Sequence, residues 1–126
     1  MAEARVLIID DEKGMRWALE KALQSEGYDV ITVDNGYDGI SVLDQSSVSL
    51  ILLDYKMPEL DGLETLLRIK QNHPHIPVIF MTAFSSMPTA LEAIKRGAVG
   101  YITKPFQLGD LKSAIRRAID QSVFVN

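Results

Sequence analysis

Short apolar runs alternate along the chain with segments of helical periodicity. The first run, Val6–Ile9, consists of four aliphatic residues without polar alternation, which is typical of a strand buried on both faces. Four later runs have a similar character and end in turn-forming or polar residues. The five predicted strands are Val6–Asp10, Tyr28–Val33, Ser49–Asp54, Pro77–Thr82 and Val99–Thr103.

After each predicted strand, apolar residues recur every three or four positions, which predicts a helix with one buried face. Gly27 and Gly97 stand where helices favour a C-terminal glycine, and Pro88 favours the start of the fourth helix, 87–96. The residues predicted to face the core are Met15, Ala18, Leu19, Ala22 and Leu23 in the first helix, Ile40 and Leu43 in the second (36–44), Leu63, Leu66 and Leu67 in the third, and Leu108, Leu111, Ile115, Ala118 and Ile119 in the last.

This alternation predicts an α/β fold, in which five helices cover both faces of a five-stranded parallel sheet. Right-handed crossovers make a doubly wound sheet the expected arrangement. Such sheets bind ligands at the carboxyl ends of their strands. We expect a single domain spanning residues 1–126, with its chemistry at that edge.

Composition and charge narrow the function class. The chain has 126 residues, of which 47% are apolar and 24% charged, as in one folded globular domain. The net charge of −4 argues against direct contact with nucleic acid, and the lack of cysteine excludes thiolate metal sites and thiol nucleophiles. The apolar runs of four residues are too short to cross a membrane, and the N-terminus has no signal pattern, so we expect a cytoplasmic location.

Polar side chains mark the ends of the predicted strands. Asp10, Asp54 and Thr82 directly follow apolar runs, while Asp11 and Lys104 stand beside strand ends. Carboxylates that meet at one edge of the sheet repel each other by several kcal/mol at intermediate dielectric. A hard divalent ion such as Mg²⁺ would offset this repulsion, and softer metals have no obvious ligands because both histidines lie in a separate loop.

A lysine and a hydroxyl beside such a site favour phosphoryl chemistry. Lys104 and a metal ion can neutralise phosphoryl oxygens, and Thr82 can donate a hydrogen bond to them. Asp54 lies on the middle predicted strand, where a carboxylate can act as the nucleophile that forms an acyl phosphate. The residues therefore predict metal-assisted phosphoryl transfer onto an aspartate.

These residues resemble a known family, the receiver domains of bacterial two-component response regulators. The resemblance covers essentially the whole chain and implies a flavodoxin-like sheet with strand order 2-1-3-4-5. The residues that carry it, in the family's order and spacing, are Asp10-Asp11, Asp54, the Met57-Pro58…Asp61-Gly62 turn, Thr82-Ala83 and Lys104-Pro105-Phe106.

The resemblance implies a metal site and a phosphoacceptor. Asp54 would be the phosphoacceptor, and Mg²⁺, or Mn²⁺ as a substitute, would be bound by Asp11, by Asp54 and by the backbone carbonyl of Lys56. Asp10 would act on the ion chiefly through a bridging water. By itself, the Asp10-Asp11 pair also suits an ordinary helix N-terminus.

Further residues acquire roles from the same resemblance. Thr82 and Lys104 would hold the phosphoryl group, for which the small Ala83 would leave room. Tyr101 would couple its rotamer to Thr82, although a tyrosine at a strand end often only buries its ring. The bond between Lys104 and Pro105 would be a cis peptide.

The implied partners are a histidine kinase or a histidine phosphotransfer protein, an output domain or protein, and a second copy bound through helix 4, strand 5 and helix 5. Residues 15–23 also resemble receivers attached to enhancer-binding transcriptional activators. The end at Asn126 suits both a stand-alone receiver and the receiver part of a longer regulator. Such a domain catalyses only its own phosphorylation and dephosphorylation.

Two aromatic residues have predicted roles outside the acidic cluster. Helical geometry places Trp17 opposite the core, where it either covers lysine stems or serves as a docking residue for the kinase. Phe84 is predicted to slow dephosphorylation by shielding the acyl phosphate from water.

Three other functions would use some of the same residues. A metal-dependent aspartate phosphatase resembles the site, but it would carry a general-acid carboxylate where Lys56 stands. A flavodoxin-like cofactor protein would need a loop rich in glycine and hydroxyl groups, whereas residues 10–13 would repel a phosphate. A receiver-shaped domain that is never phosphorylated is disfavoured by the intact acidic set.

Overall fold

The computed structural model describes residues 4–83 and 87–124. Strands and helices alternate throughout, as the hydrophobic pattern predicts. In chain order the elements are β1 (Arg5–Ile9), α1 (Lys13–Gln24), β2 (Asp29–Val33), α2 (Gly36–Gln45), β3 (Leu50–Asp54), α3 (Gly62–Asn72), β4 (Val78–Ala83), α4 (Met87–Lys95), β5 (Gly100–Lys104) and α5 (Leu108–Phe124).

The strands form one five-stranded sheet in which every pair is parallel and the order is β2-β1-β3-β4-β5. This confirms the predicted flavodoxin-like fold and places β3 at the centre. In the register, Asp54 is paired with Met81 and Thr82 with Thr103, so polar residues from several strands lie at the carboxyl edge. Among the described residues, no helix is both long enough and apolar enough to cross a membrane.

Alternate side chains of each strand point to opposite faces, and each face has its own apolar core. Leu7, Ile51 and Phe80 pack on the face covered by α2, α3 and α4. Val6 and Leu52 pack on the face covered by α1 and α5. Because β1 and β3 are covered on both faces, the carboxyl ends of these strands are held at fixed positions.

Three positions predicted to face the core are instead exposed: Ala18, Leu67 and Leu108. Ala18 and Leu67 each adjoin a fully buried leucine in the same helix, and one residue turns a helix by about 100°. Each therefore points away from the sheet. Leu108 is the first residue of α5, which contacts the core from Leu111 onward.

The predicted helix ends agree with the backbone. Gly27 follows α1 with a φ of +92°, and Gly97 follows α4 with a φ of +108°. These left-handed conformations favour glycine because it has no Cβ. The turns after these helices lead directly into β2 and the segment before β5.

Candidate functional site at the carboxyl edge of the sheet

An open cleft of about 810 Å³ lies at the carboxyl edge of the sheet. It is formed by the residues that follow or end β1, β3, β4 and β5, as expected for a doubly wound sheet. Its lining consists of Asp11, Glu12, Asp54, Tyr55, Lys56, Met57, Asp61, Thr82, Ala83 and Lys104.

Three carboxylates converge at one side of this cleft. Asp10, Asp11 and Asp54 each present an oxygen, and these oxygens lie within 4.8 Å of one another. Asp10 is fully buried and Asp54 nearly so, whereas Asp11 is exposed. The sequence-based expectation that these side chains meet is therefore confirmed.

Lys104 joins the cluster from the end of β5. Its Nζ lies 2.8 Å from Oδ2 of Asp10 and 3.2 Å from Oδ1 of Asp54. The ammonium group thus offsets part of the repulsion between the carboxylates. The sequence led us to expect a divalent ion that offsets this repulsion, and Lys104 contributes a positive charge at the same place.

The cluster shifts the ionisation of its members. Burial, reinforced by the nearby charge of Asp10, raises the pKa of Asp54 from 3.8 to about 6, although Lys104 partly opposes the shift. Burial lowers the pKa of Lys104, but its hydrogen bond to Asp10 and the two carboxylate charges outweigh burial and leave the pKa raised. The lysine is therefore charged at neutral pH and Asp54 is mostly ionised.

Thr82 contributes an unusual hydroxyl. The residue is only 1% exposed, and its Oγ1 has no hydrogen-bond partner within the part of the chain that the structure describes. A buried hydroxyl left unpaired costs about 1–3 kcal/mol. Since Thr82 lines the cleft, the hydroxyl is suited to donate to an oxygen of a bound group.

The donor set fits Mg²⁺. Carboxylate oxygens are hard ligands, and this ion usually takes one or two carboxylates together with waters and phosphate oxygens. Asp11 and Asp54 both line the open cleft, so they can be reached from solvent. The site offers no thiol or imidazole among the described residues that line it.

The loop from β3 to α3 forms another wall of the cleft and requires a glycine. The Gly62 N–H donates to the carbonyl of Tyr55 at 2.8 Å. A Cβ at position 62 would lie 2.5 Å from the Asp54 carbonyl oxygen and 2.6 Å from the Cα of Tyr55. Gly62 therefore allows α3 to start directly against the residue that carries the central carboxylate.

The remaining predicted residues occupy different places. Lys56 and Ala83 line the cleft, while Tyr101 on β5 is 39% exposed and is not part of its lining. Trp17 is 63% exposed, which confirms its predicted position opposite the core. The Lys104–Pro105 peptide bond is cis, the geometry that the family resemblance implies.

Phe84, predicted to shield an acyl phosphate, lies outside the described residues.

Several residues at the site received no individual role from the sequence, among them Glu12, Asp61 and Arg16. Glu12 and Asp61 line the cleft, and Asp61 also caps α3 by accepting a hydrogen bond from the Glu64 N–H at 2.9 Å. An aspartate followed three residues later by glutamate is a recognised helix-start signal that could have located Asp61. Arg16 donates to the Asp10 carbonyl, a tertiary contact for which the sequence gives no signal.

Comparison with known proteins gives a consistent result. Residues 6–116 match the response regulator receiver domain family. The DNA-binding transcriptional regulator NtrC of Salmonella typhimurium is 39% identical over 119 residues, and the transcriptional regulatory protein GlrR of Escherichia coli is 38% identical over 119 residues. Both are transcriptional regulators, in agreement with the resemblance seen in residues 15–23.

These alignments cover 94% of this chain but only 25% of NtrC and 27% of GlrR. The chain thus spans about a quarter of the length of these relatives. Among solved structures, a response regulator receiver domain protein from Clostridium thermocellum superposes with a TM-score of 0.93 at 32% identity, covering 98% of this chain and 99% of that one.

Proposed function

Because this chain belongs to the response regulator receiver domain family, we propose that it is the phosphoacceptor of a two-component phosphorelay. Asp54 accepts a phosphoryl group from a phosphohistidine donor in a Mg²⁺-dependent reaction. The arrival of this group changes the surface formed by α4, β5 and α5, through which a partner or an output domain is controlled.

One observation carries this proposal. A nearly buried carboxylate at the end of the central strand lies beside a lysine ammonium, two further carboxylates and an unpaired buried hydroxyl. Asp54 Oδ1 is 3.2 Å from Lys104 Nζ, and Thr82 Oγ1 has no hydrogen-bond partner among the described residues. Together these groups provide a nucleophile, a negatively charged metal site and donors for an oxyanion.

In the proposed step, an Asp54 carboxylate oxygen attacks the phosphorus of the donor. The new P–O bond forms as the P–N bond breaks, and the leaving imidazole nitrogen takes the bonding pair and picks up a proton. Asp10, Asp11 and Asp54 would hold Mg²⁺, with the backbone carbonyl of Lys56 as a further ligand. When bound, this ion neutralises charge on the phosphoryl oxygens.

Lys104 and Thr82 act on the transferred group. The ammonium of Lys104 exchanges its contact with Asp54 for a phosphoryl oxygen, and the Thr82 hydroxyl gains the acceptor it lacks among the described residues. Ala83, exposed at the cleft, leaves space for the group. These exchanges link the chemistry at Asp54 to β4 and β5.

We propose that the chain catalyses only its own phosphorylation and dephosphorylation. Lys56 is exposed and lines the cleft two residues after the nucleophile. A phosphatase acting on diffusible substrates would use a carboxylic acid there to protonate its leaving group. A lysine side chain offers no carboxylic acid for that role, so the phosphoryl group stays on the domain long enough to signal.

We propose that a histidine kinase or a histidine phosphotransfer protein is the donor, and that Trp17 belongs to the surface of this chain on which the donor docks. We also propose a cytoplasmic location. Trp17 is 63% exposed on α1, which begins beside the cleft. Trp17→Ala should slow transfer from a phosphohistidine protein yet leave labelling by a small donor unchanged. Equal slowing with both donors would contradict the docking role.

We propose that Tyr101 and the exposed apolar residues near it take part in the output surface. Leu91, Val99 and Tyr101 are 57%, 54% and 39% exposed, and a second copy of the chain could cover this face after phosphorylation. Sedimentation velocity of the phosphorylated protein and its Leu91→Ser variant tests the proposal. A monomer in both cases would contradict the dimer.

The acceptor itself is tested with phosphoramidate, a small donor that contains the required P–N bond. Reduction of an acyl phosphate with borohydride converts the aspartate to homoserine, and peptide mass mapping then identifies the position. We expect homoserine at position 54 only. Asp61→Asn is the matched control, because Asp61 lines the same cleft and should leave the label in place. Homoserine at position 10 or 11, or none, would contradict the proposal.

A further inference from the structure

Every polar group of Asp10 is engaged. Its N–H donates to the Val33 carbonyl at 3.2 Å, and its Oδ2 accepts from Lys104 Nζ at 2.8 Å. Its Oδ1 accepts from the Glu12 N–H at 2.9 Å. The remaining group, the backbone carbonyl, accepts from Nη1 of Arg16 at 2.8 Å. Arg16 therefore completes the hydrogen bonding of a fully buried acidic residue.

The start of α1 makes this contact important. The N-cap residue of the helix, Glu12, forms no side-chain cap hydrogen bond, and the first turn contains no acidic residue. The turn from β1 into α1 is instead fixed by two contacts with Asp10, one from the Glu12 N–H and one from the Arg16 guanidinium. Because Arg16 is itself in the first turns of α1, its contact ties the helix to the end of β1.

The tied segment carries Asp11, which lies between Asp10, the acceptor of both hydrogen bonds, and Glu12, whose N–H donates one of them. Asp11 is exposed, and its oxygen nevertheless lies within 4.8 Å of oxygens of Asp10 and Asp54. We infer that Arg16 is a positioning residue for the divalent-cation site: it holds the turn of residues 10–12 so that Asp11 is presented together with Asp54. This inference rests on the proposed function, which assigns the metal to these carboxylates.

A role of Arg16 through its charge and a role in positioning the turn predict opposite changes in Mg²⁺ affinity when the residue is replaced. If only the charge of the guanidinium mattered, removing a positive group near a cation site would strengthen Mg²⁺ binding. If Arg16 positions the turn, its removal weakens binding although the site becomes more negative. Groups that orient metal ligands typically contribute about 10- to 100-fold to metal affinity.

The kind of cation provides a second distinction. Mg²⁺ demands a nearly ideal octahedral arrangement, whereas Ca²⁺ accepts flexible geometries with longer bonds. A loosened turn should therefore reduce Mg²⁺ affinity more than Ca²⁺ affinity. A change in charge alone should affect both ions in the same direction and to a similar extent.

The test compares Arg16→Met, Arg16→Lys and wild type by calorimetric titration with Mg²⁺ and with Ca²⁺. We expect Arg16→Met to weaken Mg²⁺ binding about tenfold, with a smaller loss for Ca²⁺. Arg16→Lys keeps one donor and should restore part of the loss. The control is Arg117→Met on α5, an exposed arginine with no ion pair among the described residues, which should leave both affinities unchanged.

Amide hydrogen exchange of the metal-free protein supplies a readout independent of binding. The Glu12 N–H should exchange faster in Arg16→Met, while the amides of β1 stay protected. Mg²⁺ binding that is unchanged or tighter in Arg16→Met would overturn the inference about Arg16 and leave the proposed function standing. Failure of the wild-type protein to bind Mg²⁺ would instead overturn the proposed function.

Discussion

Lys104 and Asp54 face each other across the end of β4, with 3.2 Å between Nζ of the lysine and Oδ1 of the aspartate. The two residues end β5 and β3, and β4, which carries Thr82, lies between those strands in the sheet. The lysine thus already sits where a phosphoryl group on Asp54 would need a cation. Without such a group, its charge stabilises the acidic cluster.

Lys104→Met should therefore have opposite effects on stability and metal binding. Without the ammonium, Asp10 and Asp54 lose the positive group that contacts both of their carboxylates. We therefore expect the metal-free protein to lose about 2 to 4 kcal/mol of unfolding free energy. Mg²⁺ should bind about five- to tenfold more tightly because a competing charge is gone. Phosphorylation should slow about 100-fold, since a donor to the phosphoryl oxygens is missing.

Urea denaturation in EDTA, calorimetry and a phosphorylation time course measure these three effects. Lys95→Met on α4 is a suitable control, because Lys95 is exposed and does not line the cleft. Weaker Mg²⁺ binding in Lys104→Met would show that the lysine does not compete with the metal.

Asp54→Asn should stabilise the metal-free protein at neutral pH. The rise in the pKa of Asp54 from 3.8 to about 6 means that the folded state holds this proton more tightly than the unfolded state. The carboxylate therefore destabilises the fold above about pH 6, by at most about 3 kcal/mol, and ceases to do so below its unfolded pKa. We expect a gain of about 1 to 3 kcal/mol from the substitution at pH 8.

Urea denaturation in EDTA between pH 4 and pH 8 measures this difference. It should be largest at pH 8, fall as the pH passes through about 6 and vanish near pH 4. Asp120→Asn, which changes an exposed aspartate of α5 in the same way, is the matched control. A gain that stays constant across the range would contradict the pKa assigned to Asp54.

Thr82→Val should stabilise the protein while impairing phosphorylation. The Oγ1 of Thr82 is buried without a described partner, so its removal should raise the unfolding free energy by about 0.5 to 2 kcal/mol. Thr65 provides the control: it is equally buried, but its Oγ1 donates to the Asp61 carbonyl at 2.8 Å. Thr65→Val should instead cost about 1 kcal/mol.

Thermal and urea unfolding of the two valine variants give these values directly. Stability changes of the same sign would mean that the Thr82 hydroxyl is satisfied in solution, for example by water. In that case its availability to a phosphoryl oxygen would need another explanation.

Gly62→Ala should disturb the site through the backbone. The added Cβ would lie 2.5 Å from the Asp54 carbonyl oxygen, a contact that requires the chain to move. We expect a loss of about 2 kcal/mol or more in unfolding free energy and slower phosphorylation, as for other strained overpacking. Gly109→Ala on α5 meets no atom within 4 Å and should stabilise the helix by up to about 1 kcal/mol. Unaltered phosphorylation in Gly62→Ala would show that the approach of α3 does not position Asp54.

Local hydrophobic patterns were sufficient to predict the strands, the helices and the α/β class of the fold. The aliphatic runs of β1 and β3 are fully buried, and in these two strands only Arg5 is partly exposed. The polar residues that follow the runs predicted where the strands end. Helix faces were predicted less accurately, because Ala18 and Leu67 are apolar yet lie one residue beyond the buried arc. The strand order came from the family resemblance, since the alternation alone allows several orders.

The acidic cluster was also predictable, because parallel strands bring their carboxyl ends to the same edge. Its hydrogen bonds were not. The Lys104 contact with Asp10 joins residues 94 positions apart, and Arg16 reaches a backbone carbonyl rather than a side chain. Such contacts depend on rotamers and on the path of the turn after β1, for which sequence patterns carry no signal.

The proposed function depends above all on the transfer of a phosphoryl group to Asp54 in the presence of Mg²⁺. Intact mass measured after incubation with acetyl phosphate tests it most directly, with and without Mg²⁺ and in parallel for wild type and Asp54→Ala. We expect one added phosphoryl group in the wild type with Mg²⁺, and none in the variant or in EDTA. An equal mass gain in Asp54→Ala, or none in wild-type protein that demonstrably binds Mg²⁺ and is also offered a phosphohistidine donor, would contradict it.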